Sequence, residues 1–284
     1  MISMGPDRQH AARELLAFYL ESGVDAALGD GPVDRFADTA EIPRRPVART
    51  PAAAAARSDA PNQPPAPPRA ALSATAAAAQ SPMPPDGAVM AAREEAKSAR
   101  TLDQLKAILS GFQGCPLRTT ATQLVFADGN PQARVMFVGE APGRDEDIAG
   151  LPFVGRSGQL LDRMMAAIGL TRANAYIANI VPWRPPGNRT PTPQESAICL
   201  PFTLRQIELV DPDVLVCLGG PSAQTLLGIR DGILRTRGRW FPFQTGMREI
   251  RATATLHPAY LLRQPLQKRL AWRDFLAIKK ALGA

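Results

Sequence analysis

This sequence of 284 residues has few cysteines, few histidines and no long apolar run. Its three cysteines are too few and too widely spaced for a disulfide framework. No apolar stretch approaches the roughly 18 residues that a membrane-spanning helix requires, and the first residues lack the basic and apolar pattern of a secretory signal. We therefore predict a cytoplasmic protein with no membrane segment. Only His10 and His257 can supply imidazole chemistry.

Charge is unevenly distributed along the chain. Residues 1–100 contain 11 Lys and Arg against 12 Asp and Glu, whereas residues 101–284 contain 22 against 14. An excess of Lys and Arg favours contacts with the phosphates of nucleic acids, but it also serves solubility alone. Charge by itself does not distinguish a nucleic-acid-binding protein from an ordinary basic one.

The N-terminal third differs in composition from the rest of the chain. Residues 1–30 contain an amphipathic stretch in which Leu16, Tyr19 and Leu20 recur at helical spacing, which predicts a helix. Residues 31–91 contain twelve prolines and long alanine runs, and this composition predicts a disordered linker. The N-terminal helix is then a tethered element that docks either on the main domain or on a partner.

Residues 92–284 alternate between predicted strands and predicted helices. The strands are expected at 133–139, 175–181, 213–220 and 248–256, and the main helices at 157–169, 190–210 and 267–282. Alternation of this kind favours a parallel sheet covered by helices on both faces. We predict an α/β domain of three layers, α/β/α, around a mainly parallel four-stranded sheet, preceded by the disordered extension.

Polar or flexible residues follow each predicted strand. Glu140 follows the first strand, Asn179 ends the second, Gly219 and Gly220 close the third, and His257 follows the fourth. Ligands of open α/β sheets bind beyond the carboxyl ends of the strands. The sequence therefore predicts a ligand site at this edge.

The loop GEAPGRDEDIAGLPFVG, residues 139–155, is rich in glycine but unsuited to phosphate. It contains the carboxylates Glu140, Asp145, Glu146 and Asp147. It has no lysine, and Pro142 removes a backbone donor, whereas a phosphate cradle relies on backbone N–H groups. Three interpretations remain open: a Mg²⁺ site of a nuclease, carboxylates that pair with Arg144 or Arg156 or cap helices, and a pocket in which Phe153 stacks on a flat ligand. Phe153 in the core is the competing interpretation of that residue.

Two further segments offer hydrogen-bonding groups. The Asn179 side chain has an acceptor and two donors, enough to read the edge of a nucleobase. An imidazole at His257 can donate a hydrogen bond to a leaving group that gains negative charge. The residues after it, including Leu262 and Arg263, can enter a base stack as a wedge, and Arg184 and Arg189 of the Pro-rich turn suit phosphate contact.

Three segments together resemble the uracil-DNA glycosylase superfamily, most nearly its family 4 type. They are GEAPGRDEDIAGLPFVGRSGQLLD, NIVPWRPPGNRTPTPQE and HPAYLLRQP, and the resemblance covers roughly residues 101–284. It implies a three-layer α/β/α domain that flips uracil out of DNA, as an enzyme acting on a base requires, and hydrolyses its N-glycosidic bond. The resemblance implies a role in base-excision repair. The N-terminal hundred residues lie outside it, and recruitment of a repair or replication partner is a separate hypothesis for the N-terminal helix.

The resemblance assigns roles to residues of this chain. Phe153 stacks on uracil, Asn179 reads its polar edge, and Glu146 lines the face that distinguishes uracil from thymine. Glu140 and the backbone of Ala141 hold the base or the water, His257 stabilises charge on uracil O2, and Asn188 supports the water. The turn at Ser222, with Arg184, Arg189, Leu262 and Arg263, contacts DNA.

One feature of the resembling family is missing from the sequence. Family 4 proteins hold an iron–sulfur cluster on four cysteines, but Phe112 and Trp183 occupy two of the corresponding positions here, and only Cys115 and Cys199 remain. Two thiolates cannot ligate a four-thiolate cluster, and Cys217 lies in a predicted core strand. We predict no cluster and no metal, with the two aromatic side chains filling the space.

The lead hypothesis is a monomeric, monofunctional uracil-DNA glycosylase, since no nucleophilic lysine is apparent for a lyase step. The alternatives are a module that binds uracil or abasic DNA without turnover and a metal-dependent nuclease that uses the acidic loop. A protein that traps uracil-DNA through a covalent bond to a histidine is disfavoured. His257 is assigned to the pocket, and His10 lies beyond the linker.

Overall fold

The computed structural model describes residues 85–283. The predicted N-terminal helix and most of the predicted linker lie outside the described residues. Within them, the first helix is α1, Pro85–Ser98, which begins inside the segment predicted as linker. No helix of residues 85–283 has the length and apolar character that crossing a membrane requires.

Helices and strands alternate through the rest of the described chain, with short 3₁₀ turns between them. The helices are α2 Leu102–Gly111, α3 Arg144–Ala149, α4 Arg156–Ala166, α5 Pro193–Val210, α6 Gly220–Leu227, α7 Ile233–Thr236, α8 Pro258–Arg263 and α9 Lys268–Ala281. The strands are β1 Asp128–Gly129, β2 Val135–Gly139, β3 Tyr176–Asn179, β4 Val214–Leu218, β5 Trp240–Gln244 and β6 Glu249–Thr255.

The strands of residues 85–283 form one six-stranded sheet in the order β1-β3-β2-β4-β6-β5. The inner strands β3, β2, β4 and β6 are parallel, which confirms the predicted four-stranded parallel core. The prediction missed the antiparallel edge strands β1 and β5. β1 has only two residues, and Pro242 within β5 argues against a strand except at an edge, which is where β5 lies.

Both faces of the sheet are covered by helices, as predicted. Met136 and Val138 of β2 point to one face, where they join a cluster with residues of α1, α2 and α5. Phe137, the residue between them, joins the opposite cluster with Leu161 of α4 and Phe275 of α9. Because alternate residues of β2 are buried on opposite faces, the sheet is the middle layer of three. Burying a large apolar side chain of this kind stabilises the fold by about 1.5–3 kcal/mol.

Local signals set the start of the longest helix. The hydroxyl of Thr192 accepts a hydrogen bond from the backbone N–H of Glu195, and the Glu195 carboxylate accepts one from the backbone N–H of Thr192. Pro193 occupies the first helical position. The N-cap at Thr192 lies two residues after the predicted start of the helix at residue 190. The capping box therefore marks where the Pro-rich turn ends and the helix begins.

Candidate functional site

The carboxyl ends of the parallel strands border one cavity of about 620 Å³. Glu140 after β2, Asn179 at the end of β3, Gly219 after β4 and His257 after β6 all line it. The expected convergence at this edge is therefore present. Register explains it, because Gly139 of β2 pairs directly with Asn179 of β3 and places their ends side by side.

The cavity is lined by most, but not all, of the residues singled out in the sequence. Those that line it are Glu140, Ala141, Glu146, Phe153, Asn179, Asn188, Arg189, His257 and Arg263. Arg184, Ser222 and Leu262 do not line it. Sequence reasoning missed Ser157, Ile233 and Tyr260. Ser157 and Tyr260 lie within the quoted segments GEAPGRDEDIAGLPFVGRSGQLLD and HPAYLLRQP, so these two had a usable signal.

Two buried oxygens at the cavity have no hydrogen-bond partner among the described residues. They are Oε1 of Glu140 and Oδ1 of Asn179, and Asn179 as a whole is only 4% exposed. A buried polar atom without a partner costs about 1–3 kcal/mol. A fold that keeps two such atoms beside one cavity has left them for a ligand, and this is the strongest structural sign of a binding site.

Gly139 is the reason that these groups can come so close. A Cβ built at Gly139 would overlap Oδ1 of Asn179 and would lie 2.6 Å from Cζ of Phe153. No larger residue fits between the amide and the aromatic ring. The glycine at the end of β2 therefore serves close packing of the site rather than contact with a phosphate.

Phe153 has an unusual backbone for an aromatic residue. Its φ is +55°, in the left-handed region, and its side chain is 4% exposed. The ring belongs to the core cluster that contains Phe137 and Phe275, and it also lines the cavity, so its stacking on a flat ligand stays a prediction. Its centroid lies 5.6 Å from that of His257, with the rings tilted by 32°.

His257 is held in one tautomer. Its Nδ1 accepts the backbone N–H of Ala259 at 3.1 Å, so the neutral ring carries its proton on Nε2. Burial, with a smaller contribution from the charge of Arg263, lowers the pKa of His257 to about 4. The imidazole is therefore neutral near pH 7 and acts as a hydrogen-bond donor through Nε2.

Glu140 differs from the other carboxylates of its loop. Burial raises the pKa of Glu140, and one of its oxygens has no partner among residues 85–283. Glu146 instead accepts the amides of Gly143, Val154 and Gly155, at 2.9–3.1 Å. The Glu146 carboxylate thus holds the two ends of the loop together while its side chain lines the cavity.

Asp147 is also committed within the fold. Its oxygens accept the amides of Thr122 and Gln123 and the hydroxyl of Thr122. The described residues contain no group of three or more His, Cys, Asp or Glu side chains placed to hold a metal ion. Glu146 and Asp147 are engaged by backbone amides and by the Thr122 hydroxyl, which leaves Glu140 as the carboxylate with an unpartnered oxygen at the cavity, so the donor set does not favour the magnesium site that was left open.

The arginines of the Pro-rich turn are bound to protein groups. Arg189 makes a two-pronged ion pair with Glu195, at 2.7 and 2.8 Å. Arg184 donates from Nε to Oδ1 of Asn188 at 2.7 Å and lies 3.9 Å from Asp147. These side chains shape the turn, which differs from their expected role as phosphate contacts.

Ser222 is also placed differently from expectation. Its side chain is fully buried, and its hydroxyl donates to the carbonyl of Val138 at 2.6 Å. The hydroxyl is engaged within the fold, and the contact of this turn with a DNA phosphate stays a prediction for its other groups. Arg263, in contrast, is exposed, lines the cavity and has no ion pair with another described residue. Leu262 beside it is 39% exposed on α8.

The residues around the expected iron–sulfur positions do not fit a four-thiolate cluster. Cys115 and Cys199 lie with their sulfurs 3.8 Å apart, and both are buried. Phe112 packs edge to face against Phe202, with ring centroids 5.0 Å apart, and Trp183 is 2% exposed. Both aromatic side chains belong to the buried core cluster that contains Cys115 and Cys199, and Cys217 lies in the buried strand β4.

Comparison with known proteins gives a consistent family. A family model described as the uracil DNA glycosylase superfamily matches residues 126–276. A type-4 uracil-DNA glycosylase of Archaeoglobus fulgidus is 39% identical over 187 residues, which is 64% of this chain and 94% of that protein. A second, of Thermotoga maritima, is 45% identical over 150 residues, or 52% of this chain and 77% of that protein. A third, of Saccharolobus solfataricus, is 37% identical over 188 residues, or 64% and 87%.

Proposed function

The chain belongs to the uracil DNA glycosylase superfamily, and we propose that it is a monofunctional uracil-DNA glycosylase that flips uracil out of DNA and hydrolyses its N-glycosidic bond. One observation carries the proposal. Two unpartnered buried oxygens, on Glu140 and Asn179, lie at a cavity that also contains an aromatic ring and a neutral imidazole. A volume of about 620 Å³ is within the range of about 300–1,000 Å³ of small-molecule sites.

Recognition of the base follows from the walls of the cavity. The ring of Phe153 offers a flat apolar surface for stacking on uracil. The Asn179 amide, buried beside Gly139, offers both an acceptor and donors to the polar edge of the base. A base within a duplex cannot reach these groups, so the nucleotide has to leave the stack. Glu146 contributes by holding the loop that carries Phe153, through its bonds to Val154 and Gly155.

Bond cleavage requires stabilisation of the leaving uracil. The N1–C1′ bond breaks with its electron pair on the base, and negative charge develops on uracil O2. The neutral His257 ring donates from Nε2 to this oxygen, and its orientation is already fixed by the bond from Ala259. A preorganised donor of this kind contributes about 3 kcal/mol to a transition state.

Water completes the reaction from the other side of the sugar. The Glu140 carboxylate has an unpartnered oxygen at the cavity and can orient a water molecule toward C1′. The water adds its oxygen to C1′ and passes a proton to Glu140, which returns it to solvent or to the departed base. As an anion, Glu140 also stabilises the positive charge of the sugar. Asn188, whose Oδ1 accepts from Arg184, keeps its N–H₂ group for the same water.

DNA is held by the exposed residues of α8. We assign Leu262 to the vacated base stack and Arg263 to a neighbouring phosphate, since both are exposed and Arg263 reaches the cavity. Arg184 and Arg189 contribute to DNA binding indirectly, because their ion pairs stabilise the shape of the Pro-rich turn.

The protein is further proposed to work without an iron–sulfur cluster, since Phe112 and Trp183 fill that region with buried aromatic rings. Protein purified without oxygen should contain no stoichiometric iron and show no absorption band near 400 nm. Iron in an amount equal to one cluster per chain would contradict this.

The activity is tested with an oligonucleotide that contains one uracil, incubated with the purified protein in EDTA and then treated with alkali. Strand cleavage at the uracil only after alkali identifies a metal-independent, monofunctional glycosylase. His257→Ala and Asn179→Ala should each slow it by about two to three orders of magnitude, whereas His10→Ala, the matched histidine control, should not. A stable complex without cleavage would instead indicate a binding module. Cleavage that EDTA prevents would indicate a nuclease.

A further inference from the structure

Arg172 is a cation outside the cavity that is surrounded by four acceptors. Its guanidinium pairs with Asp128 of β1 and with Asp162 of α4, the latter at 2.9 Å. It also donates to the backbone carbonyls of Pro152 and Phe153. Its side chain is 25% exposed and does not line the cavity. The arginine therefore ties the loop before α4 to an edge strand and to a helix at the same time.

The carbonyl that Arg172 holds belongs to the residue with the unusual backbone. A left-handed φ at a bulky residue is unfavourable and persists only when the surroundings enforce it. Arg172 binds the Phe153 carbonyl on one side. On the other side, a Cβ at Gly158 would overlap that same carbonyl, so only a glycine permits the approach. The bond from Arg172 thus holds the Phe153 carbonyl, and the missing side chain at Gly158 leaves room for it.

We propose that Arg172 is a positioning residue, which acts through Phe153 by holding its backbone in the left-handed conformation that places the ring beside His257 and against the flipped base. This inference rests on the stacking role proposed for Phe153. Its consequence is a pocket wall that is ready before the base arrives.

Arginine is the side chain that this position requires. Its planar guanidinium has five N–H donors in a fixed fork, which can serve two carboxylates and two carbonyls together. A lysine has the same charge but three donors on one atom, so it cannot reach all four acceptors. Arg172→Lys therefore keeps the charge and weakens the geometry, which makes it the informative substitution.

The test is a double-mutant cycle between Arg172→Lys and Phe153→Ala. Single-turnover uracil release should fall about tenfold to hundredfold in Arg172→Lys, because small misplacements of a binding group have such effects. Inhibition by free uracil should weaken in parallel. In the Phe153→Ala background, Arg172→Lys should cost less than about twofold more, since residues that act through one another are not additive. Affinity for DNA that carries an abasic site, which has no base to stack, should stay within about twofold.

A matched control separates positioning from stability. Arg134→Lys alters an arginine that also bonds a carboxylate, Asp213, and a backbone carbonyl, that of Leu282, but lies away from the cavity. It should leave uracil release unchanged. If Arg172→Lys fails to fold, Asp162→Asn weakens one partner of Arg172 and should give a smaller loss with the same non-additivity.

Three outcomes would overturn the inference: full activity of Arg172→Lys, effects of Arg172→Lys and Phe153→Ala that add, or an equal loss in Arg134→Lys. Full activity of Phe153→Ala is a different failure. It would remove the stacking role on which the inference rests, and with it the proposed mode of base recognition.

Discussion

The cavity keeps buried polar atoms without partners, whereas the buried region around Cys115 is packed with aromatic rings. At the cavity, Glu140 and Asn179 keep buried oxygens without partners. Around Cys115, aromatic rings stand at the two positions where the resemblance to family 4 expects cysteines, and the rings are packed to 2–3% exposure. The unpartnered oxygens at the cavity lower the stability of the fold and stay free for a ligand. The buried aromatic rings around Cys115 raise the stability of the fold and offer no ligand atoms. A substitution should therefore have opposite consequences in the two regions.

The largest effect is expected for Asn179→Ala. Uracil release should fall by about two to three orders of magnitude, the effect of removing one preorganised polar group. The free energy of unfolding should stay the same or rise, because the substitution removes a buried oxygen that has no partner. Single-turnover kinetics and urea unfolding of the same preparation measure both quantities.

Gln206 provides the matched control for this prediction. Its buried amide donates to Tyr176 and to the carbonyl of Phe126, so it is satisfied where Asn179 is not. Gln206→Ala should lower stability and leave the rate of uracil release intact. A loss of stability in Asn179→Ala as large as that in Gln206→Ala would contradict the contrast between the regions.

The mirror-image effect is expected for Phe112→Ala. Removing a buried phenylalanine costs about 3–5 kcal/mol, and here it also removes the contact with Phe202. At a temperature where the variant is still folded, the rate of uracil release per folded molecule should equal that of the unaltered protein. Thermal unfolding and a single-turnover assay in the cold test this. A fall in the rate of the folded variant would mean that the aromatic region supports the site directly.

A smaller effect concerns the acid stability of the folded protein. The pKa of His257 is lowered to about 4 in the fold, whereas an unfolded histidine has a pKa of about 6.5. The unfolded chain binds the proton first, so the contribution of this residue is present above pH 6.5 and is lost as the pH falls toward 4. From pH 7 to pH 5 the unaltered protein should lose on the order of 1–2 kcal/mol more than His257→Gln. Urea unfolding at the two values measures this, and equal losses would show that His257 titrates normally.

The smallest effect distinguishes the two arginines at the rim of the cavity. Arg263 has no carboxylate partner among the described residues, whereas Arg189 is paired with Glu195. In Arg263→Ala, the slope of log affinity against log salt should fall by about one for DNA that carries an abasic site. Arg189→Ala should leave the slope nearly unchanged. The reverse result would show that the ion pair opens when DNA binds.

Sequence periodicity predicted the parts of the fold that local patterns determine. The parallel strands are near-continuous apolar runs, and the helix start at Thr192 has a capping box, so both were identified. Their order along the chain was enough to place Glu140, Asn179 and His257 at one edge. The edge strands were not predicted, because β1 has only two residues and β5 contains Pro242.

Side chains whose role depends on distant partners were not predicted. Arg189 was expected at a phosphate, but it pairs with Glu195, six residues along the chain, and the Ser222 hydroxyl binds the Val138 carbonyl, 84 residues away. Arg172 gave no signal, since its carboxylate partners lie 44 and 10 residues away in the sequence. The charges of such residues are visible in a sequence, but what neutralises them is decided by tertiary packing.

The proline of β5 bears on the behaviour of the molecule in a crowded solution. A sheet that ends in an open strand is a template on which another chain can add a strand and begin an aggregate. Prolines in sheets are confined to positions that face away from the neighbouring strand, so Pro242 leaves a gap in the row of donors on the outer side of β5. At the opposite edge, β1 offers only Asp128 and Gly129. Both ends of the sheet thus offer little template for the addition of a strand from another chain.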